Sequence, residues 1–230
     1  IAKQLDSINV ASCGYLSPVT DCFQKIDEAY KLSIKIINEF VNRNIPIEFI
    51  TKQVIPQVAI DIMSKQQHSF GQVSILTVDE SKRKILAPGG ATTDQLFDNL
   101  RRLSKAGLCA VCRIDPVIPY ITDNKLELGE LILKAKDYGA KHIIASVMDI
   151  PVKLKPHIYG SLKKLRPDVM CLYDNLYNEL IDGDLNANIE YRKSLFSYLK
   201  TVCTENGLTF ALCMEYELID NAAYGLNKYY

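Results

Sequence analysis

The chain has 230 residues, of which 48% are hydrophobic and 23% charged, so it can bury a sizeable core as one large domain or as one domain with an appendage. Its 27 basic and 27 acidic residues cancel, which excludes a strong overall attraction to nucleic acid but leaves a local basic patch open. No apolar run reaches the roughly 18 residues that a membrane span requires, and no signal peptide is recognisable.

The cysteines and the first residue bear on compartment and processing. Seven cysteines are scattered along the chain, an odd number, which favours free thiols in a reducing, cytoplasmic compartment over a secreted disulfide framework. Because residue 1 is isoleucine rather than an initiator methionine, we expect a processed or partial chain.

Apolar segments alternate with helical patterns along the first 150 residues. The apolar, β-branched segments predict strands at residues 7–12, 46–50, 73–78, 108–114 and 142–147. Apolar residues at three- and four-residue intervals predict helices over about residues 23–42, 56–66, 92–106 and 123–138. The strands are interpreted as apolar throughout, which is typical of a parallel sheet covered on both faces. Successive β-α units of this kind predict an α/β fold.

The overall architecture follows from this order of elements. A barrel or partial barrel over residues 1–150 is favoured over a flat doubly wound sheet, because no Gly-x-Gly-x-x-Gly turn follows the first strand. After Asp149 the regular alternation ends, and residues 151–205 read as mainly helical, followed by an apolar run at 209–214. Residues 151–230 are therefore expected to form a C-terminal, mainly helical extension packed on the barrel.

One strand–helix–strand unit carries the longest connection. A glycine-rich stretch leaves the predicted strand at residues 73–78, and the helix that follows has a capping-box pair, Thr92 and Gln95, and a terminal Gly107. In parallel α/β folds, ligands bind at the carboxyl ends of the strands, where such connections lie.

Two side chains stand at predicted strand ends. Lys52 follows the second strand, where its ammonium could hold a substrate carboxylate or phosphate, although lysines also end strands simply because they are hydrophilic. Cys13 ends the first predicted strand and precedes Gly14; it could act as a nucleophile, metal ligand or hydrogen-atom donor. From spacing alone, a buried thiol is the better interpretation of Cys13.

The remaining candidate groups have stronger structural interpretations. Cys109 and Cys112 lie three residues apart in a predicted strand, so they should point to opposite faces and not chelate one ion. The three histidines, His68, His142 and His157, lack a partner at a diagnostic spacing. A window between Pro151 and Pro167 holds five basic residues and no acid, which fits either a phosphate-contacting edge or a solvated helix; these are Lys153, Lys155, Lys163, Lys164 and Arg166.

Several segments taken together resemble a known family. Ala11–Cys13 (ASC), Phe49–Lys52 (FITK) and the run from VSILTVDESKRKILAPGGATT to AGLCAVCRIDPVIP resemble the radical S-adenosylmethionine (radical SAM) superfamily. The resemblance is to the branch that contains spore photoproduct lyase and its photolyase-like relatives. The tail YGLNKY also resembles a C-terminal Tyr-Gly-x-x-Lys-Tyr segment of that branch. The similarity covers the chain from residue 7 onward, in short motifs whose order and spacing agree.

The resemblance implies a fold, a cofactor and a reaction class. It implies a partial (β/α)6 TIM-like barrel that binds S-adenosylmethionine beside a 4Fe–4S cluster and receives an electron from a donor such as flavodoxin or ferredoxin. A 5′-deoxyadenosyl radical would then abstract hydrogen from an unknown substrate, with damaged DNA as one option.

The same resemblance implies roles for individual residues. Lys52 would hold the methionine carboxylate of the cofactor, Ser74 would hydrogen-bond it, and Ser12 would lie nearby. The backbone at Asp115 would line the adenosine side. The resemblance further implies that Cys13 is the thiol that returns hydrogen to the product radical and that Tyr224 is a substrate-side tyrosine.

The chain also departs from the family pattern. The Cys-x3-Cys-x2-Cys loop that holds the cluster is missing, and the first recognisable strand looks like the family's second. The cluster ligands are therefore expected upstream of Ile1, in which case this chain would be inactive alone. The alternative is that this relative has lost the cluster. Ala223 stands where the lyase has an arginine, which argues against thymine-dimer DNA as substrate. Two other classes stay open: a non-radical barrel enzyme with Lys52 as a Schiff base, and a cluster-less binding protein.

Overall fold

A six-stranded parallel sheet organises the chain in the computed structural model, which describes residues 1–8, 12–16, 19–213 and 215. The strand order is β1-β2-β3-β4-β5-β9, so each of the first five strands lies beside its neighbour in sequence. The sheet strands are β1 (Gly14–Leu16), β2 (Ile47–Thr51), β3 (Phe70–Ser74), β4 (Cys109–Val117), β5 (His142–Val147) and β9 (Thr209–Leu212).

Helices occupy the intervals between the strands and cover one face of the sheet. Along the chain they are α1 (Ala2–Leu5), α2 (Asp27–Tyr30), α3 (Leu32–Asn42), α4 (Gln57–Met63), α5 (Glu80–Leu86), α6 (Thr93–Lys105) and α7 (Lys125–Asp137). The predicted capping box of α6 is confirmed, because the Thr92 side chain accepts from the Gln95 N–H and the Gln95 side chain accepts from the Thr92 N–H. Gly107 follows α6 with φ of 77°, the left-handed conformation that glycine adopts without strain.

The segment after β5 contains both helices and a small antiparallel sheet. The helices are α8 (Lys155–Leu165), α9 (Met170–Leu176) and α10 (Ile189–Glu205). The small sheet has the order β6-β8-β7, with β6 (Ile150–Pro151), β7 (Glu179–Ile181) and β8 (Asp184–Asn186). Helix α10 leads into β9, so the main sheet takes its sixth strand from the part of the chain that the sequence assigns to the extension.

Alternate strand residues face different surroundings. Ile47, Phe49, Val73 and Cys112 lie on the face that the helices cover and are fully buried. The residues between them, on the opposite face, include Glu48 and Arg113, which hydrogen-bond through Gln72. The prediction that the strands are apolar throughout is therefore wrong: the open face mixes polar side chains such as Gln72 and Arg113 with apolar ones such as Val111.

Several predicted boundaries also need correction. Ser7, Ile8 and Ser12 are not in a strand, residues 9–11 of the predicted segment lie outside the described residues, and the first strand begins at Gly14. The predicted helix 23–42 is divided into α2 and α3 by Lys31, whose φ is 50°. The predicted strand 73–78 ends at Ser74 and begins earlier, at Phe70.

Two secondary structures were absent from the prediction. The first half of the expected glycine-rich loop is helix α5, which begins after Asp79 because that side chain accepts from the Ser81 and Lys82 N–H groups. The small antiparallel sheet interrupts the segment that was expected to be mainly helical. Within the described part of the chain, no helix combines the length and the apolar character that crossing a bilayer would require.

Candidate active site

Lys52 lies directly after β2, at the carboxyl edge of the main sheet. Its backbone N–H donates to Asp21 Oδ2 at 2.6 Å, and the neighbouring Thr51 hydroxyl donates to Asp21 Oδ1 at 2.8 Å. On its other side, the Lys52 carbonyl accepts from the Ala91 N–H at 2.8 Å. The backbone of Lys52 is thus held by two different connections that leave neighbouring strands.

The backbone after Lys52 is also fixed by hydrogen bonds. The Asn99 side chain, from α6, accepts from the Ile55 N–H at 3.0 Å and donates to the Gln53 carbonyl at 2.8 Å. Gly90 approaches so closely that a Cβ there would lie 3.1 Å from the Lys52 carbonyl oxygen. This turn therefore needs glycine at position 90 for a close backbone contact rather than for an unusual φ.

A buried arginine, Arg83, stabilises the loop between α5 and α6, which contacts Lys52. The Arg83 guanidinium donates to the carbonyls of Ala87 at 2.8 Å and Gly90 at 3.1 Å, and it pairs with Glu80 at 2.7 Å. Glu80 also accepts from the Thr93 N–H at 2.9 Å. The hydrogen bonds from Arg83, followed by those from Thr93, lower the pKa of Glu80 to about 2.

The Lys52 side chain enters a cavity of about 680 Å³, a size suited to a small molecule. Among the described residues, its ammonium makes no salt bridge and no hydrogen bond. Burial lowers the pKa of Lys52; the negative charges of Asp115 and Asp21 act against this shift, and the positive charge of Arg113 adds to it. The cavity thus contains a partly desolvated cation that is available to an anionic ligand group.

The open face of the sheet below Lys52 carries a hydrogen-bond network. Arg113 donates to Asp115 Oδ2 at 2.7 Å, to Gln72 Oε1 at 2.9 Å and to the Cys213 sulfur. Gln72 in turn donates to Glu48 at 2.9 Å. These side chains come from β2, β3, β4 and the residue after β9, so the network crosses most of the sheet.

Three of the predicted site residues come together. Asp115 lines the cavity with Lys52, and Pro116 follows it there. Ser74 is buried, and its hydroxyl donates to the Asp115 carbonyl at 3.3 Å. Lys52, Ser74 and Asp115 therefore lie at the same carboxyl edge of the sheet.

Two other predicted site residues, Ser12 and Cys13, do not lie at this edge. Ser12 and Cys13 precede β1, whose first residue, Gly14, pairs with Ile47 at the start of β2. They are therefore at the amino end of the sheet, about six strand residues or roughly 20 Å from the level of Lys52. Burial and the charge of Glu48 raise the pKa of the Cys13 thiol. Tyr224 lies outside the described residues.

The cavity-lining residues that the sequence analysis missed include Asp21, Arg113 and Cys213. Arg113 and Asp115 are two residues apart, as are Gln72 and Ser74. Polar residues at every second position of a strand indicate a polar face of the sheet. Asp21 and Cys213 carry no comparable local signal, because they reach the cavity through long-range packing.

The other candidate groups are spread over the molecule. Cys112 is buried in the core and Cys109 is exposed, as predicted for residues three apart in a strand. His142 Nδ1 lies 2.7 Å from the Thr209 hydroxyl, and burial lowers the pKa of this histidine. Of the basic window, Lys155 pairs with Asp174 at 2.9 Å and Arg166 with Asp168 at 2.7 Å, which neutralises part of the suspected phosphate-contacting edge.

Solved structures define the class of fold. A spore photoproduct lyase variant with bound AdoMet and dinucleoside spore photoproduct superimposes with a TM-score of 0.71 and 15% identity, over 90% of this chain and 63% of that one. A domain of pyruvate-formate lyase-activating enzyme from Bacteroides vulgatus gives a TM-score of 0.55 and 12% identity, over 85% of this chain and 98% of that one. The fold is that of the radical SAM enzymes, which confirms the predicted partial barrel.

Sequence comparison points to particular relatives. The chain is 25% identical over 218 residues to a radical SAM Nalpha-GlyT isomerase of Pseudomonas phage M6, a match that covers 94% of this chain and 45% of that protein. It is 22% identical over 116 residues to an uncharacterized protein of Methanocaldococcus jannaschii, over 50% of this chain and 44% of that protein. No family model matches. The predicted resemblance to radical SAM proteins is confirmed, and the matches span less than half the length of either relative.

The described residues fit the two implied cofactors differently. An unpaired, half-buried ammonium in a cavity of this size suits the carboxylate of S-adenosylmethionine. By contrast, no group of three or more His, Cys, Asp or Glu residues within the described ranges is arranged to hold a metal ion.

Proposed function

We propose that this chain forms the S-adenosylmethionine-binding barrel of a radical SAM enzyme, with Lys52 as the residue that binds the cofactor's carboxylate. The observation that carries the proposal is the Lys52 ammonium, which pairs with no group among the described residues, at a cavity on the carboxyl edge of a radical SAM-like sheet. If bound beside a cluster, the cofactor would supply a radical for hydrogen abstraction. The cluster ligands and the electron donor, such as flavodoxin or ferredoxin, would come from outside these 230 residues.

Each remaining residue at the edge would orient the cofactor. The hydrogen-bonded turn keeps the Lys52 backbone in one conformation, so only the side chain has to be ordered when the carboxylate binds. The Ser74 hydroxyl donates to the Asp115 carbonyl and would have to turn away from it to hydrogen-bond the carboxylate, and the Asp115–Pro116 backbone would line the adenosine side. Cysteines such as Cys112 and Cys203, which are buried as free thiols, are compatible with a reducing compartment such as the cytoplasm.

The substrate is proposed only by reaction type. The similar phage protein is named an isomerase and the similar solved structure a lyase, two reaction classes that involve no net oxidation of the substrate. We infer a reaction without net oxidation here as well, with damaged DNA as one candidate substrate. Cys213, rather than Cys13, is the thiol that a substrate in this cavity would meet, because Cys213 lines it.

Equilibrium binding of S-adenosylmethionine to the 230-residue chain, measured by isothermal titration calorimetry, tests the proposal without requiring turnover. Lys52→Met should weaken binding at least about tenfold, since a charge-assisted hydrogen bond contributes about 1.5–3 kcal/mol. Lys65→Met removes an exposed lysine away from the cavity and should leave binding unchanged. Wild-type affinity retained by Lys52→Met, or no binding by the wild type, would refute the proposal.

A second candidate, a Schiff-base aldolase, is favoured by one observation. Burial lowers the pKa of Lys52, which increases the fraction of nucleophilic free amine. Borohydride reduction in the presence of simple aldehydes, followed by mass spectrometry, would give a covalent adduct on Lys52 for the aldolase. Adducts spread over the exposed lysines would exclude this alternative.

A further inference from the structure

Asp21 is the acidic residue that contacts the backbone at Lys52. Its carboxylate accepts from the Lys52 N–H at 2.6 Å, from the Thr51 hydroxyl at 2.8 and 3.0 Å, and from the Phe23 N–H at 2.9 Å. Asp21 lies in the connection after β1, whereas Lys52 lies after β2. One side chain thus joins the carboxyl ends of two adjacent strands at the cavity.

The Asp21 carboxylate and the Lys52 ammonium carry opposite charges but do not form a salt bridge. Both Asp21 oxygens are occupied by N–H and O–H donors, and Asp21 forms no salt bridge with Lys52. A carboxylate that paired directly with the ammonium would compete with the carboxylate of an incoming ligand. Instead, the negative charge of Asp21 acts on the ammonium from the backbone side and leaves its N–H groups available.

The charged groups that face Lys52 come from two elements. Asp21 comes from the connection after β1, and Asp115 and Arg113 come from β4. Burial lowers the pKa of Lys52, the two carboxylates act against that shift, and Arg113 adds to it. Removal of one carboxylate should therefore lower the pKa of Lys52 further, so that less of it is protonated at a given alkaline pH.

We propose that Asp21 is a positioning residue for Lys52: it fixes the Lys52 backbone through hydrogen bonds and supports the ammonium through its negative charge. The inference depends on the proposed function, in which that ammonium binds the cofactor's carboxylate. In this role Asp21 acts through Lys52, so its removal should weaken cofactor binding by way of Lys52.

The charge effect can be measured without any ligand. Trace acetic anhydride acetylates free amines, so the labelling of Lys52 from pH 7 to 11, read by mass spectrometry, reports its titration. In Asp21→Asn we expect the Lys52 profile to move to lower pH, with labelling at pH 9 roughly twofold faster or more. The exposed Lys65 is the internal reference, and Asp94→Asn, which removes a surface acid 3.5 Å from Lys134, is the matched control.

A second readout separates charge from backbone support. The affinity for S-adenosylmethionine should decline at lower pH in Asp21→Asn than in the wild type, and Asp21→Ala should bind more weakly than Asp21→Asn, because alanine also lacks an acceptor for the Lys52 N–H. Asp21→Glu, which keeps the charge, should retain a Lys52 labelling profile close to that of the wild type. If Asp21→Asn does not fold, Asp21→Ser, a smaller neutral acceptor, should show the same shift.

The outcomes distinguish this inference from the function on which it depends. An unchanged Lys52 labelling profile in Asp21→Asn overturns the role of Asp21, whatever the wild type binds. Absence of binding by the wild type refutes the proposed function, while the labelling experiment still reports on Asp21.

Discussion

The two faces of the main sheet differ in chemistry although they are formed by alternating residues of the same strands. On the helix-covered face, the rings of Phe49 and Phe23 meet edge to face at 5.0 Å, and Phe49 is fully buried. On the open face, Glu48, Gln72 and Arg113 hydrogen-bond one another below the cavity. The covered face contributes to the hydrophobic core, and the open face carries polar groups that could contact a ligand.

The largest expected effect tests the covered face. Phe49→Ala should lower the free energy of unfolding by about 3–5 kcal/mol, because it removes a buried ring and leaves a cavity against the core. Urea denaturation followed by circular dichroism measures this. Ile50→Ala, one residue further and half-buried on the open face, is the matched control and should cost much less. Equal losses in the two variants would show that the faces do not differ in this way.

The next effect tests the open face. Arg113→Met should cost about 1.5–3 kcal/mol, because Asp115 loses its cation and Gln72 loses a donor in a partly buried network. The same denaturation measurement applies. Arg101→Met breaks an exposed pair with Asp98 and should cost about 0–1 kcal/mol. If Arg113→Met is as stable as Arg101→Met, the network contributes little to folding.

The smallest expected effect concerns Gly90, beside Lys52 at the carboxyl edge of the sheet. A Cβ at Gly90 would lie 3.1 Å from the Lys52 carbonyl oxygen and 3.3 Å from that of Ala87, both backbone atoms that cannot turn aside. Gly90→Ala should therefore cost about 1 kcal/mol and weaken S-adenosylmethionine binding.

Gly89→Ala is the control for this prediction, since a Cβ there meets nothing within 4 Å. Its stability should stay within about 0.5 kcal/mol of the wild type, and its affinity for S-adenosylmethionine should not change. Weaker binding by Gly89→Ala would mean that any change in this loop disturbs the cavity.

Local patterns in the sequence were sufficient for much of the fold. The capping box at Thr92 and Gln95 and the glycine after α6 were predictable, because their interactions lie within a few residues of one another. The position of Lys52 at a strand end was predictable for the same reason. The assumption of wholly apolar strands failed because it overlooked the alternation of Gln72 with Val73 and of Arg113 with Cys112.

The sequence by itself determined the order of β-α units, the parallel sheet and the presence of a lysine at its carboxyl edge, since periodicity and turn residues are local properties of the chain. Only the tertiary structure decided which distant side chains share the cavity. Strand β1 begins at Gly14 rather than seven residues earlier, so Cys13 lies at the amino end of the sheet, while Cys213 and Asp21 reach Lys52. Strand register and packing set these neighbours, and both depend on contacts between residues far apart in the chain.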